Sequence, residues 1–591
     1  MSSVQIDYSR DELFDELGIT RLKESYMRDE ETSPQERIAY VSEAFASDPE
    51  HAQRIYDYAS KHWLSFSTPI LSYGRSSKGL PISCFLSYLD DSAEGLVDTY
   101  AEVSWLSMLG GGVGIHVGIR GADDKSVGVM PHLKTYDAGS LAYRQGKTRR
   151  GSYAAFLDIS HPDIVQFMEM RKPTGDQNFR TLNLHHGVNI SDKFMDIIEN
   201  AMRDDDFDDS WPLINPNNGE VTEVVSAREL WMKLMELRMQ TGEPYVIYID
   251  TANRQLPAWL KASGLHINGS NLCTEIFLPT NEHRSAVCCL SSLNVEKYDQ
   301  WSKVPDFIPD VMELLDNVLQ HFIDKAPKHV SRAVYSAMRE RSIGIGTLGL
   351  HAYFQKKNIP LDCAMARVMN KQIYMHIHER CIKGDMMLVE KRGSCPDAED
   401  VGVQRRFSHW TAIAPNASSS LIMGNTSPSI EPFRANVFRQ DTLSGAYIQR
   451  NKYLERELER LGMNNSKTWA SITANDGSVQ HLDIPDEVKD VFKTAIEIDQ
   501  RWLIDLAADR QPYIDQGQSL NLFFRPDTNI KYLHACHFLA WKQGLKSLYY
   551  CRSDKLRKAD RVGMQIERKR IEDEIDLTAV ADGDTCLACE G

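Results

Sequence analysis

The sequence of 591 residues lacks any apolar run long enough to cross a membrane, and residues 1–31 contain no apolar segment typical of a secretory signal. We therefore expect a cytoplasmic protein with no membrane partner. Positive charge is also scarce, since 67 Lys and Arg stand against 83 Asp and Glu, a formal net charge of −16. The electrostatic field of this negative net charge repels nucleic acid and anionic lipid, so neither is expected as a general partner.

Cysteine is sparse for a chain of this size: eleven are scattered along it, an odd number. This distribution is unlike the disulfide framework of a secreted protein and favours reduced thiols with catalytic or redox roles. The last two, Cys586 and Cys589, form a C-x-x-C pair. Zinc is the alternative to redox exchange there, but zinc needs four ligands and no second local pair exists. We expect no metal in this chain.

The organisation is that of a large α/β unit with additions at both ends. Ser33-Pro34-Gln35-Glu36 predicts a capped helix, and Asp48-Pro49 predicts the start of another. Strand-like runs alternate with amphipathic stretches from about residue 80 onward, at 112–119, 152–159, 187–190, 245–249 and 287–295. We expect a helical region at 1–66, one catalytic domain at 67–555 and a flexible tail at 556–591.

Near the middle of the chain, Asn271, Cys273 and Glu275 occupy alternate positions. In an extended segment these three side chains would project from the same face. A thiol between an amide and a carboxylate suits attack on a hydroxylated carbon. The alternative is a packed cysteine whose polar neighbours bond to nearby backbone.

Other candidate residues each allow two interpretations when they are considered alone. Cys84 and Cys288 lie in apolar, strand-like surroundings, where a cysteine is as readily a small buried hydrophobe. Tyr549-Tyr550 is a tandem pair that either packs or undergoes one-electron oxidation. Gly344 to Gly349 matches G-x-G-x-x-G, but no clear strand precedes it, so we do not expect a dinucleotide site.

Together these segments resemble the large, catalytic subunit of class I ribonucleotide reductase. The resemblance runs in order from about Thr68 to the end of the chain. Its motifs are Asn271-Leu272-Cys273-Thr274-Glu275, Ser83-Cys84-Phe85, Val287-Cys288, Pro415 to Ser420, Leu545 to Tyr550 and the terminal C-x-x-C. It implies a ten-stranded α/β barrel made of two antiparallel five-stranded halves, with the reactive cysteine on a central loop.

The resemblance also implies roles in the reduction of ribonucleoside diphosphates to deoxyribonucleotides. Cys273 would be the thiyl-radical site, Glu275 the base for the 3′ hydroxyl, and Asn271 a substrate partner. Cys84 and Cys288 would be the reducing pair, although the neighbouring Cys289 leaves the pairing open. Cys586 and Cys589 would re-reduce that pair and be reduced in turn by thioredoxin or glutaredoxin; a flexible chain from Tyr550 to Cys586 spans roughly 30 Å.

Radical transfer in such enzymes starts in a separate, metal-containing small subunit. Tyr550 would receive the radical and pass it through Tyr549 to Cys273. A cobalamin-dependent class II reductase, which needs no small subunit, is the alternative enzyme. A nucleotide-binding regulatory protein without turnover is a third hypothesis, which the full set of five thiols argues against.

Nucleotide contacts follow from the same resemblance. The substrate-binding candidates are Thr68, Ser83, Ala417, Ser418 and Ser419, the last three where a helix start could hold phosphate oxygens. Asp91, Ser92 and Arg120 resemble contacts to allosteric nucleotide effectors at the interface of a homodimer. The N-terminal region is too short for the ATP-cone domain of many relatives, so we expect no control through that module.

Overall fold

The computed structural model describes residues 3–75, 79–143, 152–442 and 445–553. Its strands are β1 Leu64–Phe66, β2 Cys84–Leu89, β3 Gly112–Val117, β4 Ala122–Asp123, β5 Ser126–Val127, β6 Tyr153–Asp158, β7 His185–Ile190, β8 Ser210–Ile214, β9 Val221–Ser226, β10 Tyr245–Tyr248, β11 Ala286–Asn294, β12 Ile343–Leu348, β13 Val437–Thr442, β14 Gly445–Arg450, β15 Leu522–Phe524, β16 Ser547–Leu548 and β17 Cys551–Ser553.

The helices surround these strands. They are α1 Glu16–Ser25, α2 Pro34–Phe45, α3 Pro49–Ser60, α4 Thr68–Leu71, α5 Ala93–Met108, α6 Val129–Ala142, α7 Ile164–Met168, α8 Asp192–Arg203, α9 Ala227–Thr241, α10 Ile249–Gln255, α11 Ala258–Ala262, α12 Tyr298–Trp301, α13 Phe307–Lys325, α14 Ser331–Glu340, α15 Leu350–Lys356, α16 Ala364–Arg392, α17 Pro396–Glu399, α18 Ala417–Ile422, α19 Lys452–Arg460, α20 Ser466–Ala474, α21 Asp486–Val491, α22 Gln500–Arg510 and α23 Ile530–Lys542. Within the described ranges, none is long and apolar enough to cross a bilayer.

Local sequence signals determine where the N-terminal helices α2 and α3 begin. The Ser33 hydroxyl accepts a hydrogen bond from the backbone of Gln35, and the Glu36 carboxylate accepts one from the backbone N–H of Ser33. Helix α2 therefore begins in a capping box with Pro34 in the first turn. Asp48 caps α3 in the same way through the backbone N–H of His51. Both helices begin where the sequence predicts.

One half of the barrel consists of five parallel strands in the order β2, β3, β6, β7 and β10. Each is followed by at least one helix before the next, which is the connection that parallel pairing requires. Nearly every residue of these strands is buried, because helices cover the outside and packed side chains fill the inside. The five strands correspond to the first expected half.

The other half runs in the opposite direction. It contains β11 and β12, which pair in parallel, then residues 410–414 and 516–520, which join through single bridges, and finally β16. The two halves meet at two antiparallel junctions, β2 with β11 and β10 with β16. This arrangement confirms the expected ten-stranded barrel of two antiparallel halves.

The G-x-G-x-x-G motif lies in β12 and not in a loop before a helix. A Cβ atom on Gly344 would lie 2.9 Å from Cys288 Sγ, and one on Gly346 would lie 2.7 Å from the carbonyl oxygen of Ala412. These glycines therefore allow close packing inside the barrel.

Gly114 of β3 leaves room for the loop that crosses the barrel interior. A Cβ atom there would lie 2.0 Å from the carbonyl oxygen of Ser270 and 2.8 Å from the Cα atom of Asn271. Real Cβ contacts are not this short, so any side chain larger than hydrogen must displace the loop.

We predict that Gly114→Ala lowers the free energy of unfolding by about 1–3 kcal/mol, the usual cost of overpacking a close-packed interior. Thermal or denaturant unfolding measures the change. The matched control is Gly269→Ala, because its Cβ atom would meet its nearest neighbour, Phe156 Cβ, at an ordinary 3.4 Å. Equal stability of the two variants would show that the loop is not held against β3.

Candidate active site

Cys273 lies on the loop that Gly114 admits, and it is fully buried. The loop is a turn and not a strand: Thr274 has φ = 65°, and Asn271 Oδ1 accepts hydrogen bonds of 3.1 Å from the backbone of both Glu275 and Ile276. The expectation of an extended segment with three side chains on one face is therefore wrong. The Asn271 side chain instead stabilises the turn, because its amide oxygen accepts hydrogen bonds from backbone N–H groups four and five residues further along the chain.

Glu275 is buried beside Cys273 and is held from the opposite half of the barrel. The Ser519 hydroxyl lies 3.2 Å from Glu275 Oε2 and 2.5 Å from the carbonyl oxygen of Cys273. The amide nitrogen of Asn271 is buried and has no hydrogen-bond partner among the described residues. The turn thus offers an amide donor and a carboxylate to whatever occupies the barrel centre.

The tandem tyrosines directly follow β16, and Tyr549 contacts this loop. The hydroxyl of Tyr549 lies 3.3 Å from Cys273 Sγ, and the rings of Tyr549 and Tyr550 are 4.3 Å apart between centroids. The guanidinium of the fully buried Arg238 donates to the backbone carbonyl of Tyr549 at 3.0 Å. A continuous path of contacts therefore runs from Tyr550 through Tyr549 to the sulfur.

A third tyrosine, Tyr245, packs against both members of the pair, with ring centroids 4.8 Å from Tyr549 and 5.1 Å from Tyr550. Burial raises its pKa well above the ordinary value, and nearby Glu243, Tyr550 and Cys273 act in the same direction. The Tyr245 phenol therefore stays protonated at neutral pH.

The antiparallel junction of the two halves places Cys84 directly opposite Cys288. Side chains at such positions lie on one face, with Cβ atoms about 4.5–5.5 Å apart, slightly beyond the roughly 3.8 Å of a disulfide. Both thiols belong to a buried cluster inside the barrel, with Ile276 and Ala412. Cys289 points to the other face of β11 and packs into the main core.

Burial raises the pKa of the Cys288 thiol well above its ordinary value, and neighbouring Cys84 and Glu275 raise it further. The side-chain amide of Gln516 donates to its sulfur at 3.5 Å, which opposes this shift. Ile276, just beyond the Cys273 turn, packs in the same cluster as the two thiols, so the cysteine pair lies beside that turn. At neutral pH the buried Cys288 thiol keeps its proton and can give a hydrogen atom or a proton.

Two of the substrate-binding candidates come together at the barrel rim. Thr68 of α4 and Ser419 of α18 line the same cavity. Ala417 and Ser418 form the first turn of α18, and a helix start of this kind suits an anion. Ser83 is buried next to Cys84, with its hydroxyl 3.9 Å from that sulfur.

The effector candidates form a separate group. Arg120 pairs with Asp91 at 2.7 Å, and Ser92 caps α5 by accepting a hydrogen bond from the backbone of Gly95. Ser92 therefore stabilises the start of α5. The Arg120–Asp91 ion pair is partly exposed to solvent.

Cys586 and Cys589 lie outside the described residues. No group of His, Cys, Asp or Glu among the residues with described positions could hold a metal ion. Three side chains at the site were not singled out in the sequence: Gln516, Ser519 and Tyr245. They lie far from Cys273 along the chain and have no local pattern, so only the barrel topology brings them to it.

Comparison with known proteins identifies the family. The model of the ribonucleotide reductase barrel domain matches residues 82–405 and 399–551, and that of the ribonucleotide reductase all-alpha domain matches residues 12–79. The chain is 49% identical to a ribonucleoside-diphosphate reductase large subunit from Invertebrate iridescent virus 3, over all of both chains. It is 47% identical to a putative large subunit from Frog virus 3, over 92% of this chain and 93% of that one.

A solved structure agrees with these similarities. The class Id ribonucleotide reductase alpha subunit of Actinobacillus ureae superposes with a TM-score of 0.80 at 32% identity, over 93% of this chain and 98% of that one. Sequence, fold and site geometry therefore agree, and the chain belongs to the family of class I ribonucleotide reductase large subunits, which are ribonucleoside-diphosphate reductases.

Proposed function

We propose that this chain reduces ribonucleoside diphosphates by a thiyl radical on Cys273. The observation that carries the proposal is the 3.3 Å contact between the Tyr549 hydroxyl and Cys273 Sγ, deep in the barrel. A buried thiol with an oxidisable phenol as its neighbour can lose a hydrogen atom to a phenoxyl radical. The resulting thiyl radical removes the 3′ hydrogen of the ribose.

The surrounding groups complete the reaction. Glu275 takes the proton of the 3′ hydroxyl, and the free amide hydrogens of Asn271 bind the substrate. Cys84 and Cys288 protonate the departing 2′ hydroxyl, which leaves as water, and supply two electrons by forming a disulfide. Cys273 then returns its hydrogen to C3′. The strand register favours Cys288 over Cys289 as the partner of Cys84.

The radical comes from outside the chain in this proposal. A metal-containing small subunit oxidises Tyr550, and Tyr549 relays the radical to Cys273 and back after each turnover. Ring contacts between the tyrosines support this path. The comparisons give no support to the cobalamin-dependent alternative, since the solved relative is a class Id alpha subunit and the viral relatives are named as ribonucleoside-diphosphate reductase large subunits.

Nucleotides and assembly complete the proposal. The substrate diphosphate is held by Thr68, Ser83, Ala417, Ser418 and Ser419. Nucleoside triphosphate effectors bind near Asp91, Ser92 and Arg120. The chain acts as a cytoplasmic homodimer. Residues 1–66 form the helical region, 67–555 the catalytic domain and 556–591 the tail. Cys586 and Cys589 reduce the Cys84–Cys288 disulfide and are themselves reduced by thioredoxin or glutaredoxin.

Removing one hydroxyl from the relay should stop turnover without unfolding the protein. For Tyr549→Phe we expect no deoxyribonucleotide in an assay with the small subunit, whereas the free energy of unfolding changes by only about 1 kcal/mol, the value of one hydrogen bond. Tyr550→Phe should behave alike. The matched control is Tyr248→Phe, which loses a buried hydrogen bond to the carbonyl oxygen of His537 but does not contact the pair. Turnover by either relay variant would refute the path.

The thiol pairing is tested by one round of reaction without external reductant. We expect peptide mapping to find a new disulfide between Cys84 and Cys288. Cys288→Ser should give no product and Cys289→Ser should give normal product, because only Cys288 faces Cys84 inside the barrel. A disulfide that contains Cys289 would contradict the pairing.

Deleting residues 586–591 tests the tail. The truncated chain should complete one round and then stall with thioredoxin, because a protein reductant cannot enter the barrel to reach the buried pair. Dithiothreitol is small enough to enter and should restore part of the cycling. Undiminished turnover with thioredoxin would show that the tail has no role in reduction.

A further inference from the structure

The side-chain amide of Gln516 connects the Cys273 loop to the proposed reducing pair. Gln516 is fully buried in the barrel. Its Oε1 atom accepts the backbone N–H of Phe277, just beyond the Cys273 turn, at 3.2 Å. Its Nε2 atom lies 3.2 Å from the carbonyl oxygen of Ile343, 3.4 Å from Ser342 Oγ and 3.5 Å from Cys288 Sγ. None of the steps described above uses this amide.

The orientation of the Gln516 amide is fixed by its partners. A backbone N–H only donates, so Phe277 needs the amide oxygen, and a backbone carbonyl only accepts, so Ile343 needs the amide nitrogen. Turning the amide around would place two donors together at one end and two acceptors together at the other. The NH2 group therefore faces Cys288. With one of its hydrogens on Ile343, the second is left for the sulfur and the Ser342 hydroxyl.

A negative charge on the Cys288 sulfur is costly in this place. Burial raises the pKa of the thiol well above its ordinary value, and Cys84, Cys289 and Glu275 act in the same direction. The hydrogen bond from Gln516 acts in the opposite direction and favours the anion. A donor that is already oriented toward a buried atom stabilises charge there without further rearrangement.

The proposed reaction requires such a charge for part of each turnover. The two thiols together give up two protons and two electrons. One proton leaves with the 2′ hydroxyl as water, so the pair is left with one thiol and one thiolate. The second proton and both electrons then pass to C2′ of the ribose as the S–S bond forms. Because Cys84 and Cys288 lie directly opposite each other, the remaining proton can stay on Cys84 while the charge stays on Cys288.

We propose that Gln516 is a further catalytic residue, whose amide N–H stabilises the negative charge on Cys288 after the first proton has left the pair. This inference rests on the proposed function, because the charge arises only if the pair reduces the ribose. Gln516 touches the reacting sulfur and not the nucleotide phosphates. Its loss should therefore lower kcat and leave KM nearly unchanged, as for an interaction made only during the chemical steps.

The decisive variant is Gln516→Glu. A carboxylate keeps an oxygen for the N–H of Phe277 but has no hydrogen for the Cys288 sulfur, so the variant separates the loop contact from the sulfur contact. We expect kcat with the small subunit to fall about 10- to 100-fold, the effect of losing one hydrogen bond to a charged group. Gln516→Leu, which loses both contacts, should show at least the same loss. A residue that only holds the loop would tolerate the change to Glu.

A second measurement does not depend on turnover. Iodoacetamide reacts with the thiolate, so the alkylation rate at pH 8, followed by peptide mapping, reports how readily Cys288 ionises. Both Gln516 variants should alkylate Cys288 about 10- to 100-fold more slowly. Cys84 lies in the same buried cluster and should keep its rate, which controls for entry of the reagent.

The matched control is Gln511→Leu. Gln511 is also buried and donates to the backbone carbonyl of Gln516 at 3.1 Å, but it does not contact the sulfur. This variant tests whether disturbing the same segment is enough to change the chemistry. It should keep the Cys288 alkylation rate of the unaltered protein.

The outcomes separate the two proposals. If the unaltered chain makes no product with the small subunit, the proposed function fails, and the role of Gln516 in turnover fails with it. If the unaltered chain is active, the assignment of Gln516 is overturned by either of two results. One is normal turnover of Gln516→Glu. The other is an unchanged rate of Cys288 alkylation in that variant.

Discussion

The contact between the Tyr549 hydroxyl and the Cys273 sulfur is the interaction on which the rest of the site depends. Hydrogen transfer between two heavy atoms requires that they touch, so the barrel must fix a strand end from one half against a loop from its centre. Several features of the structure fix this distance. Gly114 admits the loop, the Asn271 amide oxygen folds it, and buried Arg238 holds the Tyr549 backbone.

The barrel interior has a consistent protonation chemistry. Burial raises the pKa of Cys288 and of Tyr245, so this thiol and this phenol keep their protons at neutral pH. Neutral groups are the ones that exchange hydrogen atoms without leaving a charge in an apolar environment. In the proposed reaction, the buried Glu275 takes up the proton of the 3′ hydroxyl.

Much of this arrangement could be predicted from local sequence. The capping box at Ser33, the strand-like runs and the Asn271 to Glu275 motif are short-range patterns, and a resemblance between motifs gave the barrel and its closure. The conformation of the Cys273 turn could not be read from alternation, since Thr274 adopts a left-handed backbone that the spacing does not reveal. The choice between Cys288 and Cys289 likewise depends on strand register, which is a long-range property.

The most direct measurement is a structure of this protein with a ribonucleoside diphosphate bound. The account predicts that C3′ of the ribose lies about 3–3.5 Å from Cys273 Sγ, the spacing of reacting atoms before transfer. It also predicts that the 2′ hydroxyl faces Cys84 and Cys288, with Glu275 at the 3′ hydroxyl. A ribose bound elsewhere, or turned so that its 3′ carbon points away from this sulfur, would contradict the account.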